Sequence, residues 1–183
     1  LTGSAGLLTV ANGLLSAYGS ETRWGAELAH VQRACREHLH AGVHHLLDGD
    51  HAVLYSGYAH GLQGMIGALG SDPDPTSAQL SDELAELYER SFGRDRGAGW
   101  AISSATPDYR AHGWCHGSPG ILLGETGRFL RGDGSRASEV DLLIDVVSND
   151  CFDLNFSLCH GDLGNLLILR RAARARARQD VLS

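Results

Sequence analysis

At 183 residues the chain has room for one domain with a sizeable core and too little for two comfortable ones. Its 43% hydrophobic and 20% charged content is ordinary for a soluble globular protein, and a formal charge of -7 argues against a general nucleic-acid or anionic-membrane surface. No apolar stretch approaches the ~20 residues needed to span a bilayer, and no charged-then-apolar leader opens the sequence, so a cytoplasmic protein is expected.

In chain order, Gly3-Ser4-Ala5-Gly6 leads into the apolar pair Leu7 and Leu8. Leu28, Val31, Cys35, Leu39, Val43 and Leu46 then recur at three- and four-residue steps, which predicts an amphipathic helix with Cys35 as an inert thiol on its buried face. His30, His38, His40, His44, His45 and His51 crowd this region without a repeating frame and are expected at the surface. Gly57-Tyr58-Ala59-His60-Gly61-Leu62-Gln63-Gly64 follows, ahead of Met65 and Ile66. After Pro73 and Pro75, Leu80, Leu84, Leu87 and Tyr88 predict a second long helix, with Thr76 and Gln79 at capping-box spacing. Residues 93–110, rich in Gly and Ser and containing Pro107, predict a loop.

Gly113-Trp114-Cys115-His116-Gly117-Ser118-Pro119-Gly120 opens a third apolar run, Ile121 to Leu123, and Pro119 suits the first turn of a helix because its missing N–H is not needed there. Val140, Leu143, Ile144 and Val147 predict another helix. Ser157-Leu158-Cys159-His160-Gly161-Asp162-Leu163-Gly164 then introduces Leu166 to Leu169, and Arg170, Arg171, Arg174, Arg176 and Arg178 read as a solvated helix face. Nowhere does an alternation of period two persist. The chain is expected to be all-α.

Three of these blocks share the frame small-x-(Ala/Cys)-His-Gly-x-x-Gly, and Gly3 to Gly6 is a weaker fourth copy. Successive copies begin at Gly3, Gly61, Gly117 and Gly161, a spacing that suits a pair of helices with connections. Glycines at a loop-to-helix corner allow close approach of a neighbouring unit. Stacked corners would gather His60, Cys115, His116, Cys159 and His160 around one point.

Two thiolates and an imidazole form a soft donor set suited to zinc, and three protein ligands leave the fourth tetrahedral position open, as catalytic sites do. The helix N-termini that follow favour thiolate. His60 aligns with His160 but has Ala59 where the other copies have cysteine, so it reads as a fourth ligand, a general acid/base or a capping residue. His116 carries the same ambiguity, with Cys115 the better ligand. Cys151 suggests no specific role.

These blocks, in this order and continuing to Asn165, resemble the lanthionine synthetase C-like family, most closely the cyclase domain of LanM-type (class II) lanthipeptide synthetases. The resemblance spans residues 1 to about 175. It implies an α/α toroid of helical hairpins, zinc bound by Cys115, Cys159 and His160, and acid/base work by His60. The implied reaction adds a peptide cysteine thiol to dehydroalanine or dehydrobutyrine, closing a lanthionine or methyllanthionine thioether ring. The implied partners are a dehydrated precursor peptide and an N-terminal dehydratase domain in the parent protein. Family members carry an Asp two residues before the position equivalent to Leu1, further hairpins before it and one after the last helix. Residues 1–183 are therefore expected to be a cyclase domain incomplete at both ends.

A second reading keeps the fold and the zinc but makes the site a non-catalytic module that binds a thiol or a thiol-bearing peptide. A third, glycoside cleavage on the same toroid, needs two facing carboxylates, and among the repeated corners only Asp162 supplies one.

Overall fold

The apolar runs that follow the glycine frames become helices in the computed structural model, which describes residues 2–49, 53–93 and 100–182. The elements are α1 (Thr2–Tyr18), α2 (Gly25–Leu47), α3 (Leu62–Gly70), α4 (Pro75–Phe92), β1 (Ala101–Ser103), β2 (Thr106–Arg110), α5 (Ser118–Leu130), α6 (Ala137–Asp150), α7 (Asp162–Ala175) and a short α8 (Gln179–Leu182). A single 3-10 turn, Gly134–Arg136, precedes α6. The described fold is essentially all-α, as the sequence predicts. Among the described residues no helix is long and apolar enough to cross a membrane.

Two compact units divide the chain, residues 1–52 with 64–87, and residues 53–63 with 88–183. In the first, α1 packs along α2. Ala5, Leu8 and Ala11 form the buried stripe of α1, and Cys35, Leu39 and Val43 that of α2, at the three- and four-residue steps of the sequence. Each fully buried leucine here contributes roughly 1.5–3 kcal/mol relative to exposure. The predicted inert Cys35 is buried.

A polar linkage ties α2 to the turn before α4. Arg36 grips the buried Asp72 carboxylate through Nε at 2.5 Å and a terminal nitrogen at 2.7 Å. Ser77 Oγ donates to Asp72 Oδ2 at 2.6 Å, which leaves its lone pairs for His40 Nε2 at 2.7 Å. His40 is therefore half-buried and bonded rather than a free surface residue, and burial lowers its pKa. His30, His38, His44 and His45 are exposed as expected, and His51 lies outside the described residues.

The start of α4 also differs from expectation. Pro75 is its first residue, and Asp74 caps it, Oδ1 accepting from the amides of Thr76 at 2.9 Å and Ser77 at 3.3 Å. Against the opposing effect of burial, those amides and Arg36 hold the Asp74 pKa below its usual value. A carboxylate at the cap, followed by a residue lacking N–H, outcompetes a threonine placed two residues later. Gln79 bonds Glu83 instead of reaching back to the cap.

In the second unit α5, α6 and α7 pack on one another. Ile121, Leu122, Val140, Leu143, Ile144, Val147, Leu169 and Ala172 fill their core. The expected loop at 93–110 contains the antiparallel pair β1 and β2, with Ala101 opposite Arg110 and Ser103 opposite Thr106. Residues 94–99 of that stretch lie outside the described residues. The hairpin braces the segment leading to His60. Ser56 N donates to Ile102 O at 3.1 Å, Ser104 N to Leu54 O at 2.8 Å and Ser56 Oγ to Ala101 O at 2.6 Å.

The arginine run is only partly a solvated face. Arg170, Arg171 and Arg174 are exposed, whereas Arg176 forms a two-pronged pair with Asp141 and lies over the Phe129 ring at 4.9 Å. Arg178 bridges Asp145 and Asp180.

Candidate metal and thiol site

The repeated frame builds one local shape three times. In each copy the glycine after the histidine presses on the carbonyl oxygen six residues earlier: Gly61 on Tyr55, Gly117 on Ala111 and Gly161 on Asn155. The closing glycines Gly120 and Gly164 do the same to Trp114 and Leu158. A Cβ at any of these positions would fall 1.8 to 2.4 Å from that oxygen, well inside van der Waals contact. Backbone amides complete the corner, with Leu62 N donating to Tyr55 O at 2.8 Å and Asp162 N to Asn155 O at 2.7 Å. Gly117 and Gly161 are extended N-caps of α5 and α7, without side-chain capping bonds. Gly3 and Gly6 meet nothing of the kind, so the weaker fourth copy lacks the close approach.

Neighbouring corners are stitched together. Ala59 N donates to Cys115 O at 3.1 Å, and Gly57 lies against the Cys115 and His116 backbone. Trp114 Nε1 donates to Leu158 O at 2.6 Å, and a Cβ on Gly113 would sit 2.9 Å from His160 Cα. Asn165 Nδ2, from the last copy, donates to the carbonyls of His112 at 2.7 Å and Cys151 at 2.6 Å. Gln63, in the first copy, donates to the buried Glu125 of α5 at 2.9 Å.

This stitching brings candidate residues from three corners together. Cys115 and Cys159, 44 positions apart, lie near enough for Cys159 to act on the Cys115 pKa. His116 Nδ1 lies 3.2 Å from Cys115 Sγ, and the His116 ring stacks on that of His60 with centroids 4.6 Å apart and planes 21° from parallel. Burial, then the adjacent Cys159, raises the Cys115 pKa, so the helix N-terminus does not prevail over these effects. Burial and the neighbouring His60 lower the His116 pKa. Cys115 is buried, while His60, Cys159 and His160 are exposed to solvent.

In donor type the pair of thiols with an imidazole suits zinc. In geometry the set is incomplete: among the described residues no three His, Cys, Asp or Glu side chains are gathered closely enough to hold a metal ion. Cys115, Cys159 and His160 are thus not closed around one point in the described structure. Cys151 stands apart from the cluster. Its thiol is buried, pushed up to about 12 by burial and Asp150, and 3.8 Å from His112 Nδ1.

Sequence reasoning alone misses Trp114, Asn165 and the pair Gln63 and Glu125, all of which position the corners. Trp114 and Asn165 act on backbone carbonyls, which no residue pattern reveals. Gln63 has a visible signal, a polar residue at the start of an apolar run.

The described structure is that of a helical-repeat protein whose loop-to-helix corners bring cysteine and histidine side chains near one another. The chain belongs to the lanthionine synthetase C-like family, whose model, described as lanthionine synthetase C-like protein, matches residues 1–182. It is also 32% identical over 124 residues to the lacticin 481/lactococcin biosynthesis protein LcnDR2 of Lactococcus lactis subsp. lactis. That alignment covers 61% of this chain and 13% of the relative, so the chain spans a small part of the relative's length.

Proposed function

We propose that this chain carries the thiol-activating part of a lanthipeptide cyclase, with zinc held by Cys115, Cys159 and His160 and with His60 as general acid. The observation that carries this reading is the gathering of side chains from separate corners: His116 against Cys115, the His60 ring stacked on His116, and Cys159 near enough to act on the Cys115 pKa. Family membership and the lacticin-biosynthesis relative support it. Completing the ligand set requires Cys115 and the exposed Cys159 and His160 side chains to close around one point.

With zinc bound, a peptide thiol of ordinary pKa about 8.5 is available as thiolate near neutral pH. This chain's own residues do the remaining work. The corner backbone fixes the spacing of the two thiols, and the open, solvent-facing side of Cys159 and His160 admits a flexible peptide. Sulfur bonds to the β-carbon of a dehydroalanine or dehydrobutyrine, the carbon–carbon double bond becomes single, and the α-carbon takes a proton. His60 delivers that proton, a contribution of ~10²–10⁴-fold for a well-placed general acid. No atom is lost, so the product has the mass of the dehydrated peptide and one free thiol fewer. The substrate is a dehydrated precursor peptide, and in the parent protein an N-terminal dehydratase domain would generate it.

The test is incubation of the zinc-loaded chain with a dehydrated, cysteine-containing peptide, followed by alkylation and mass analysis to count remaining thiols. Loss of alkylatable thiol with the parent chain, reduced at least ~10²-fold by His60→Ala at unchanged zinc content, supports catalysis. Peptide binding with no thiol loss, indifferent to His60→Ala, overturns catalysis and favours the non-catalytic thiol- or peptide-binding module.

A further inference from the structure

The arginines at the C-terminal end of α7 fall into two sets. Arg176 and Arg178 are neutralised by Asp141, Asp145 and Asp180. Arg170, Arg171 and Arg174 form no ion pair among the described residues and project on the exposed side of the helix. Together with Leu130, Leu167 and Ala175 they line an open cleft of about 470 Å³. Leu130 and Leu167 are 54% and 60% exposed, so the cleft has an apolar floor under a cationic rim. Like charges one turn apart on a helix repel, and the chain as a whole carries -7. Acidic residues are therefore available elsewhere, yet none among the described residues pairs with this rim.

We infer that this cleft docks an acidic peptide segment in which carboxylates flank an apolar side chain. Guanidinium groups pair with carboxylates in two-pronged fashion, and an apolar side chain laid on Leu130 and Leu167 removes both from water. Long polyanions fit the surface less well, because the negative charge of the rest of the chain repels them beyond the cleft. This surface is separate from the thiol corners and does not depend on the cyclase reading.

The experiment is fluorescence anisotropy on the full chain with a labelled peptide of Glu-Leu-Glu repeats, compared with the same peptide carrying Gln for Glu. The expected result is saturable binding of the Glu peptide, about tenfold weaker for the Gln peptide and for Arg171→Glu/Arg174→Glu, weakened by added salt and unchanged by Arg33→Glu on α2. Circular dichroism checks folding. If the double charge reversal loses helicity, Arg171→Gln/Arg174→Gln gives the same ordering at smaller amplitude. Equal affinity for both peptides, equal binding by the variants, or no binding of the Glu peptide overturns the inference. So does binding of heparin or phosphatidylglycerol vesicles in its place.

Discussion

Cys115 and Cys159 sit in contrasting environments although the sequence writes them identically, each directly before a His-Gly pair. Cys115 is buried and its pKa is raised by burial and by its partner, whereas Cys159 faces solvent. Cys35 and Cys151 are buried, the latter pushed up to about 12. Thiolate, not thiol, is the reactive form. In zinc-free native protein, an aromatic disulfide reagent at neutral pH is therefore expected to modify Cys159 fast and the other three slowly, and Cys159→Ala to abolish the fast phase. A fast phase that survives this substitution contradicts the described geometry. The repeat makes His60, Cys115, His116, Cys159 and His160 legible as matching corner positions, and the structure brings His60, His116 and Cys115 together. Their different burial is not legible, because it depends on which corner packs inside another. Trp114 and Asn165 are equally hidden, since a side chain bonding a distant carbonyl leaves no spacing signal.

The element that explains the repeat is the loop-to-helix corner. Its glycines are there for packing, since at Gly117 and Gly120 the carbonyls of Ala111 and Trp114 occupy the space a Cβ would need. Gly117→Ala must push the Ala111 carbonyl away and is expected to destabilise the fold by ~1–3 kcal/mol, read from urea or guanidinium unfolding. Gly6→Ala, in the copy without a close approach, should be neutral or slightly stabilising because alanine favours helix. Equal effects at the two sites would mean that the corner geometry is wrong. The helices themselves are legible from apolar periodicity, and α2, α4 and α6 fall where the leucine and valine spacing puts them. The β1–β2 hairpin is not, because strands of three and five residues, the second containing Pro107, are too short to display alternation. The cap of α4 is ambiguous in sequence for a related reason: Asp74 and Thr76 are both good cap residues, and only the position of Pro75 decides between them.

Across the whole molecule, stability should depend on pH in two windows. The pKa values of Asp74, Asp133, Asp141 and Asp180 are all held below the usual aspartate value. The folded state then binds fewer protons than the unfolded state just below pH of about 3.9, so this stabilisation is present above that value and lost as pH falls through it. His40 is lowered too, mainly by burial. A histidine with a depressed folded pKa disfavours folding once the unfolded form protonates, so a milder loss begins as pH falls through about 6.5. Urea midpoints measured from pH 8 to pH 3 should decline in both ranges. Asp141→Asn should flatten the lower one, and a constant midpoint would contradict these assignments.

Family membership and the all-α architecture agree with what the glycine frames and the helical periodicity predict. The central claim is that the convergence of corners is a metal-binding device. The most direct measurement is zinc per chain by elemental analysis on purified protein, side by side with Cys159→Ala. About one zinc in the parent and little in the variant is the predicted result. A well-folded parent chain without zinc, after incubation with the metal, would contradict it.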